Sequence, residues 1–243
     1  MTQIWAHRGA RHDAPENTLA AFALAIEQKA DGVEFDVQLT EDGVPIIIHD
    51  ETVDRTTDGR GWVRDLSMAK ISKLQASAGM KGFKKAKIPT LTEALDLLAP
   101  TKLRVNIELK NDAVEYPELE EKVLEALAGY KWGDRVVLSS FSEESVAKLS
   151  GMTKFELAYI ISDSSLLLKP WKRTTQLGAS ALHPSRRRVN ERLVKKASDA
   201  GIKVRPWVVN NPKRVKEMLE LGVDAIFTDR PEVARAIRRK FAG

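Results

Sequence analysis

Short apolar segments with strand character alternate with amphipathic helical segments along most of this chain. Two strand-like segments, at residues 4–6 and 33–40, lie in the first part of the chain. From residue 89 onward further segments recur about every 20–30 residues, beginning near positions 104, 135, 156, 179, 203 and 225. Repeats of this length are typical of strand–helix units with parallel strands. The alternation therefore predicts an α/β protein built on eight parallel strands.

Eight strand–helix units in 243 residues match a TIM (β/α)8 barrel, which usually needs about 250 residues. An open, doubly wound sheet is the competing α/β architecture. That fold commonly carries a G-x-G-x-x-G motif after its first strand, whereas this chain continues with His7-Arg8-Gly9. The number of strands and the absent motif favour a TIM barrel that spans residues 1–243 as one domain.

Residues 51–88 interrupt this alternation. They follow a short extended segment at residues 44–48, are polar and contain several glycines, and end in a basic run from Lys81 to Lys87. We therefore expect a small inserted subdomain after the second strand of the barrel. The basic run by itself predicts a solvated face.

Residue types also predict local structure elsewhere in the chain. Asn17 or Thr18 is expected to cap the first helix, because a short polar side chain there accepts a free backbone N–H. A helix is expected over residues 166–176 and a strand over residues 203–208.

Composition excludes several kinds of site. The chain contains no cysteine, which excludes disulfides, thiol catalysis and cysteine zinc sites. Its apolar runs are too short to cross a bilayer and its first residues lack a basic leader, so a cytoplasmic protein is expected. The net charge of +5 favours an anionic partner. Nucleic acid is disfavoured, because the basic run Arg186-Arg187-Arg188 has no interleaved aromatic residues.

Two acidic side chains share one face of the second strand. Glu34 and Asp36 are two residues apart and point the same way, whereas Val33, Phe35 and Val37 point to the other side. Two carboxylates about 5 Å apart repel by roughly 3 kcal/mol at an effective dielectric constant near 20. A bound divalent cation offsets that repulsion most directly. A ring of ion pairs with lysines of the barrel is the alternative.

The third barrel strand, at residues 104–110, repeats this arrangement. Asn106, Glu108 and Lys110 share one face of it. Glu108 is thus a candidate for a third oxygen ligand, and an all-oxygen set suits Mg²⁺, Ca²⁺ or Mn²⁺ better than zinc. Lys110 and Arg8 beside such a cation would bind an anion, and phosphate is the obvious one.

Two histidines end extended segments on the same expected rim. His7 follows the first strand and His49 follows the segment at residues 44–48. Histidine titrates near pH 6.5, so a pair can act as general acid and general base. The histidines, the carboxylates and the cationic side chains together predict a phosphodiester hydrolysis site. Alone, His12 and His183 are expected to be structural.

These residues resemble the glycerophosphodiester phosphodiesterase family, especially its short cytoplasmic bacterial members. The resemblance covers nearly the whole chain and rests on motifs in a specific order and spacing. In chain order the motifs are His7-Arg8-Gly9, Pro15-Glu16-Asn17-Thr18, Gly32-Val33-Glu34-Phe35-Asp36-Val37, His49-Asp50, Asp54-Arg55-Thr56-Thr57, Ile88-Pro89-Thr90-Leu91, Glu108-Leu109-Lys110, Pro206-Trp207-Val208-Val209-Asn210 and Gly222-Val223-Asp224-Ala225-Ile226-Phe227-Thr228-Asp229-Arg230-Pro231.

The resemblance implies a TIM barrel with a small domain inserted after the second strand, and it implies roles for ten side chains. They are the metal ligands Glu34, Asp36 and Glu108, the catalytic histidines His7 and His49, the phosphate contacts Arg8 and Lys110, and the substrate-shaping residues Glu16, Phe141 and Trp207.

The implied activity is hydrolysis of a glycerophosphodiester to glycerol 3-phosphate and an alcohol, with Mg²⁺ or Ca²⁺ as cofactor. The expected partner is a small soluble substrate, without nucleic acid and without stable membrane insertion. The basic lead-in at residues 83–87 departs from the usual family pattern, which leaves substrate preference open. A lysophospholipase D or a phospholipase C-like phosphodiesterase of the same fold is the alternative. A phosphate-ester binding module without activity is disfavoured, because both histidines and all three carboxylates are present.

Overall fold

The computed structural model describes the backbone of residues 1–242 and the side chains of residues 1–241. Eight parallel strands alternate with helices, and a short antiparallel strand, β3, pairs with β2. The strands are β1 Gln3–His7, β2 Gly32–Leu39, β3 Pro45–Ile47, β4 Arg104–Leu109, β5 Val136–Ser140, β6 Glu156–Ile161, β7 Ala181–Pro184, β8 Lys203–Val204 and β9 Ala225–Thr228. The predicted TIM barrel is confirmed.

The helices are short and surround the barrel. They are α1 Leu19–Glu27, α2 Met68–Ile71, α3 Leu91–Leu98, α4 Leu119–Ala128, α5 Glu143–Met152, α6 Pro170–Gln176, α7 Glu191–Asp199, α8 Pro212–Glu220 and α9 Pro231–Ala242. Even α9, the longest of these, has only 12 residues. Within residues 1–242, no helix combines the length and the apolar character that crossing a membrane requires.

The sheet runs β8-β7-β6-β5-β4-β2-β1-β9, and main-chain hydrogen bonds nearly close it between β8 and β9. Asp224 donates to Val204 over 3.0 Å, Phe227 donates to Pro206 over 3.0 Å, and Val209 donates to Phe227 over 2.8 Å. The carboxyl ends of all eight parallel strands therefore face one end of the barrel, which we call the mouth.

The seventh barrel strand, β8, is shorter than the expected strand at residues 203–208. Only the first two of those residues form a regular ladder with β7. The prediction was wrong for the remainder. Pro206 has no N–H to donate on the side of the strand that faces β9, and beyond Val204 only isolated hydrogen bonds remain. Arg205 and Trp207, on either side of it, still donate their N–H groups to β7 residues.

The alternation along β2 separates the core from the barrel interior. Val33, Phe35 and Val37 are fully buried on the outer face, in a cluster with the helices. The ring of Phe35 lies 5.4 Å from that of Phe22 in α1. This packing fixes the strand and so directs the two acidic side chains of β2 into the barrel.

Thr18, rather than Asn17, caps α1. The Thr18 hydroxyl accepts the N–H of Ala21 at 3.2 Å. Asn17 has a φ of 56°, in the left-handed region that asparagine tolerates better than most residues. Its side chain is thereby free to point into the barrel.

The predicted helix over residues 166–176 was wrong for its first four residues, which form a loop before α6. The helix begins only at Pro170, because a residue that precedes proline disfavours the helical conformation. In the loop that precedes the helix, Leu166 and Leu168 are 93% and 91% exposed. Leu167 between them packs against the core.

The insertion, residues 51–88, contains little regular structure. Apart from α2 it has one 3₁₀ turn, Val63–Asp65. Its apolar side chains form a separate small cluster, which also includes Ile46 and Ile48 from the extended segment at residues 44–48 that contains β3. The insertion therefore packs on the segment that leads to His49.

A buried ion cluster lies at the end of the barrel opposite the mouth. Glu156 accepts hydrogen bonds from Lys203 at 2.7 Å, from Arg104 at 3.2 Å and from Arg205. Arg205 is only 3% exposed and stacks on Trp5. Burial alone would raise the pKa of Glu156, but Arg205 and Lys203 outweigh it and lower that pKa.

Glu156→Gln is expected to lower the free energy of unfolding by about 3 kcal/mol or more, because Arg205 then stays buried without a counterion. Since the folded-state pKa of Glu156 is lowered, this stabilisation is present above about pH 4, where an unfolded glutamate ionises, and is lost as the pH falls. Urea unfolding at several pH values measures both effects. Glu217→Gln, which breaks an exposed pair with Arg214, is the matched control and should change stability by less than about 1 kcal/mol.

Candidate active site

Three carboxylates converge inside the mouth. Asp36 in β2 lies opposite Glu108 in β4, and Glu34 lies two residues before Asp36 on the same face. One oxygen from each of the three lies within 4.8 Å of the others. Asp36 Oδ1 is buried and has no hydrogen-bond partner among the residues described. An oxygen-only set with an unpartnered buried carboxylate oxygen fits a hard divalent cation.

Burial and neighbouring charges shift the pKa values of all three carboxylates. Burial, Asp36 and Glu108 raise the pKa of Glu34 well above its usual value. Burial and Asp36 raise the pKa of Glu108 to about 7. For Asp36, burial acts in the same direction, but Arg8, His49 and Lys110 outweigh it and lower the pKa to about 2. A cation among the three oxygens would relieve the repulsion that these shifts reflect.

The turn after β1 wraps around the carboxylates. The Arg8 N–H donates to Glu34 Oε2 at 2.8 Å, and Arg8 Nε lies 3.4 Å from Asp36 Oδ2. Asn17 Nδ2 donates to the same Asp36 oxygen at 2.8 Å. Gly9, with a φ of 78°, lets the turn pass α1, because a Cβ there would lie 2.6 Å from that of Ala21. Asn17 is a site residue to which the sequence assigned only a capping role.

Lys110 follows β4 directly and is buried. Its Nζ lies 3.4 Å from Glu108 Oε1 and 5.9 Å from the centre of the Phe141 ring. Burial alone would lower the pKa of Lys110, but Glu108 and Asp36 outweigh it and raise that pKa. Phe141 packs edge-on against Trp207 at 5.7 Å, which forms an aromatic rim above the charged groups.

Both histidines are held by carboxylates. His7 Nδ1 lies 2.8 Å from Asp229 Oδ1, and His49 Nδ1 lies 2.6 Å from Asp50 Oδ1. Each contact favours the tautomer with the proton on Nδ1, which makes Nε2 the atom for proton exchange. Burial lowers the pKa of His7, although Asp229 opposes that shift. Both aspartates lie in the sequence motifs given above, but no role was predicted for either of them.

Arg55 links the insertion to the mouth. Its guanidinium donates to Asp50 Oδ2 at 2.6 Å and to Glu16 Oε1 at 2.7 Å. Arg8 also donates to Glu16, at 2.8 Å, and Arg11 lies within 3.3 Å of it. Although burial raises the pKa of Glu16, these arginines lower it to about 2. Arg55 and Arg11 were not among the predicted site residues.

A cavity of about 100 Å³ brings most of the predicted residues together. Seven of the ten line it: His7, Arg8, Glu34, His49, Glu108, Phe141 and Trp207. The other three contact residues of the lining. Asp36 and Glu16 both contact Arg8, and Lys110 contacts Glu108. Asn106 and His183 also line the cavity. The shared face of β4 could have indicated Asn106. His183 was expected to be structural, although it ends the strand expected from residue 179 and so has the same position as His7 in its strand.

Comparison with known proteins identifies close relatives. The model of the Glycerophosphoryl diester phosphodiesterase family matches residues 7–233. A glycerophosphodiester phosphodiesterase of Caldanaerobacter subterraneus subsp. tengcongensis is 41% identical, with 98% of each chain covered. One of Bacillus altitudinis is 39% identical, with 99% of each chain covered.

A solved structure has the same fold. An Oleispira antarctica phosphodiesterase, in complex with its product sn-glycerol 3-phosphate, superimposes with a TM-score of 0.90 at 30% identity. The alignment covers 98% of this chain and 97% of that one. The family match, the two relatives and this fold agree, and the chain is an enzyme of the glycerophosphoryl diester phosphodiesterase family.

Proposed function

We propose that this enzyme hydrolyses glycerophosphodiesters to glycerol 3-phosphate and an alcohol, and that it uses Mg²⁺ or Ca²⁺ bound by Glu34, Asp36 and Glu108. The observation that carries the proposal is the set of three carboxylates within 4.8 Å, beside two histidines that each contact a carboxylate. The product held by the Oleispira relative supports the same substrate class.

The chain's own groups would bind and orient the phosphodiester. When bound, the cation supplies Lewis-acid polarisation of the phosphoryl group. Arg8 lies beside Asp36 and Lys110 lies beside Glu108, and both would stabilise negative charge on the phosphoryl oxygens. The aromatic rim of Phe141 and Trp207 offers an apolar wall to the carbon atoms of the substrate.

Proton transfer is assigned to Nε2 of the two histidines. One takes a proton from the nucleophile and the other gives a proton to the leaving alkoxide. The lowered pKa of His7 keeps its ring neutral near pH 7 and able to accept a proton. The nucleophile is either water or the 2-hydroxyl of the glycerol. The second route expels the alcohol and forms a cyclic phosphate, which water would then open to glycerol 3-phosphate. Asp229 and Asp50 hold the two rings in place.

Turnover assays with glycerophosphocholine, glycerophosphoethanolamine and lysophosphatidylcholine test the proposal. Glycerol 3-phosphate is expected from the first two, with activity lost in EDTA and restored by Mg²⁺ or Ca²⁺, because the carboxylate cluster is incomplete without a cation. Faster turnover of the lysolipid would favour the lipid-directed alternative. Full activity in EDTA, or release of phosphocholine, would contradict the proposal.

A further inference from the structure

The positive charge of the chain is concentrated in the insertion. Residues 51–88 contain nine lysines and arginines but only four acidic residues. The whole chain contains 39 basic and 34 acidic residues, so the excess of five lies in the insertion and the remainder is balanced. The excess charge thus belongs to one segment of the chain rather than to the protein as a whole.

The most basic part of the insertion lies at the mouth end of the barrel. Lys81, Lys84, Lys85 and Lys87 are exposed. The residues that the structure describes form no ion pair with them, and the ammonium of Lys87 donates to a main-chain oxygen. Their loop borders a cleft with the first turns of α1 and α3. Helices that follow barrel strands begin at the mouth, so these lysines lie at that end.

Two exposed leucines also lie at the mouth end. Leu166 and Leu168 belong to the loop between β6 and α6, defined here as residues 162–169, and are more than 90% exposed. The guanidinium of Arg188 donates to the main-chain oxygens of Ser165 and Leu167, at 2.9 Å for Leu167. These bonds hold the loop so that Leu167 faces inward and its two neighbours face solvent. The leucines are therefore presented in a fixed conformation.

The charges beside the leucines are mixed. Lys169 next to them is exposed, whereas the exposed Arg187 pairs with Asp163 of the same loop at 3.0 Å. In the insertion, Trp62 is 45% exposed and stacks with Arg64. Aliphatic and aromatic side chains beside basic ones are typical of surfaces that lie at a lipid interface. Exposed leucines have no role in contacts to nucleic-acid phosphates, which disfavours RNA as the partner.

We propose that the mouth end of the barrel docks on the surface of an anionic lipid bilayer. Leu166 and Leu168 enter the boundary between headgroups and acyl chains, and the lysines of residues 81–87 face the anionic headgroups. The contact is peripheral, since the apolar part consists of a loop tip. This docking is independent of which diester the enzyme hydrolyses, because the surface residues lie outside the catalytic cavity.

Co-sedimentation with lipid vesicles tests the docking. The protein is expected to bind vesicles of phosphatidylglycerol and phosphatidylcholine much more tightly than vesicles of phosphatidylcholine alone. Raising the salt from about 0.1 M to about 1 M shortens the Debye length from about 10 Å to about 3 Å and should weaken the binding strongly. Equal binding to both vesicle types would overturn the proposal.

Matched variants separate the two contributions. Leu166→Ser with Leu168→Ser is expected to weaken vesicle binding about 100-fold, at roughly tenfold per leucine. Replacing Lys81, Lys84 and Lys85 with Gln is expected to have a similar effect, at about fivefold per lysine. All five side chains are exposed, so thermal unfolding and turnover of glycerophosphocholine should match the wild type.

The controls remove exposed apolar and basic side chains at the other end of the barrel. Met152→Ser removes an exposed apolar side chain there, and Gln at Lys102, Lys131 and Lys154 removes three exposed charges from the loops before strands. These variants should bind vesicles like the wild type. Equal losses in the controls would overturn the proposal, as would a preference for RNA over anionic vesicles. A dimer that the double leucine variant dissociates, without vesicle binding by the wild type, would assign the leucines to self-association instead.

Discussion

Replacing His49 with alanine is expected to lower kcat by about 10²–10⁴, and replacing His7 should have a similar effect, because each removes one partner of the proposed acid–base pair. Each imidazole is fixed through Nδ1 by a carboxylate, Asp50 for His49 and Asp229 for His7. The fixed rings leave Nε2 for the substrate. Steady-state hydrolysis of glycerophosphocholine at saturating cation measures the loss.

His12→Ala is the control for both substitutions. His12 lies in the loop between β1 and α1. Its half-exposed side chain lies beside Asp13 and outside the cavity. Its removal should leave kcat unchanged. Wild-type kcat in either His7→Ala or His49→Ala, with the protein still folded, would contradict the acid–base assignment.

Glu34→Gln is expected to abolish both hydrolysis and the stabilising effect of added Mg²⁺ or Ca²⁺. Glutamine keeps an oxygen that accepts the Arg8 N–H, but it removes the charge of one of the three proposed ligands. The variant should fold at least as well as the cation-free wild type, because the pKa of Glu34 is raised by burial and by Asp36 and Glu108. Loss of function would then not reflect loss of the fold.

Thermal unfolding at increasing cation concentrations distinguishes the wild type from Glu34→Gln. Wild-type Tm should rise, since a ligand at 100 times its Kd stabilises the folded state by about 2.7 kcal/mol. The Tm of Glu34→Gln should stay constant. Glu41→Gln, at an exposed position outside the barrel, should behave like the wild type. A cation-dependent rise in Glu34→Gln equal to that of the wild type would refute the assignment of Glu34 as a ligand.

The parts of the fold that depend on local periodicity were predictable. The alternation in β2 predicted that Glu34 and Asp36 share the inner face, because successive side chains of a strand point to opposite sides. Which side chains lie beside them depends on the register in which neighbouring strands pair and on the closure of the barrel. Asp36 faces Glu108 only because β2 and β4 pair in one register, and Asp229 reaches His7 across 222 residues of sequence. Neither contact leaves a local pattern.

The incorrect helix prediction and the missed site residue also have physical causes. An apolar run at residues 166–168 is typical of a helix, but Pro170 sets the start of α6 and leaves two leucines in solvent. Arg55 could be placed in a motif but not in the site, because its partner Glu16 comes from a loop 39 residues earlier. Irregular segments position side chains by tertiary contacts, which periodicity does not report.

The shared core between the insertion and β3 determines how these barrels can be recombined. Ile46 and Ile48 belong to the same apolar cluster as Val53, Val63 and Ile71, although they precede the insertion. A chimera that exchanges only residues 51–88 with a relative would leave two isoleucines facing a foreign core, directly beside the segment that carries His49. A designed graft should therefore exchange residues 44–90, from the start of the segment that contains β3 to the cap of α3, and should keep Ile47, which packs in the barrel core.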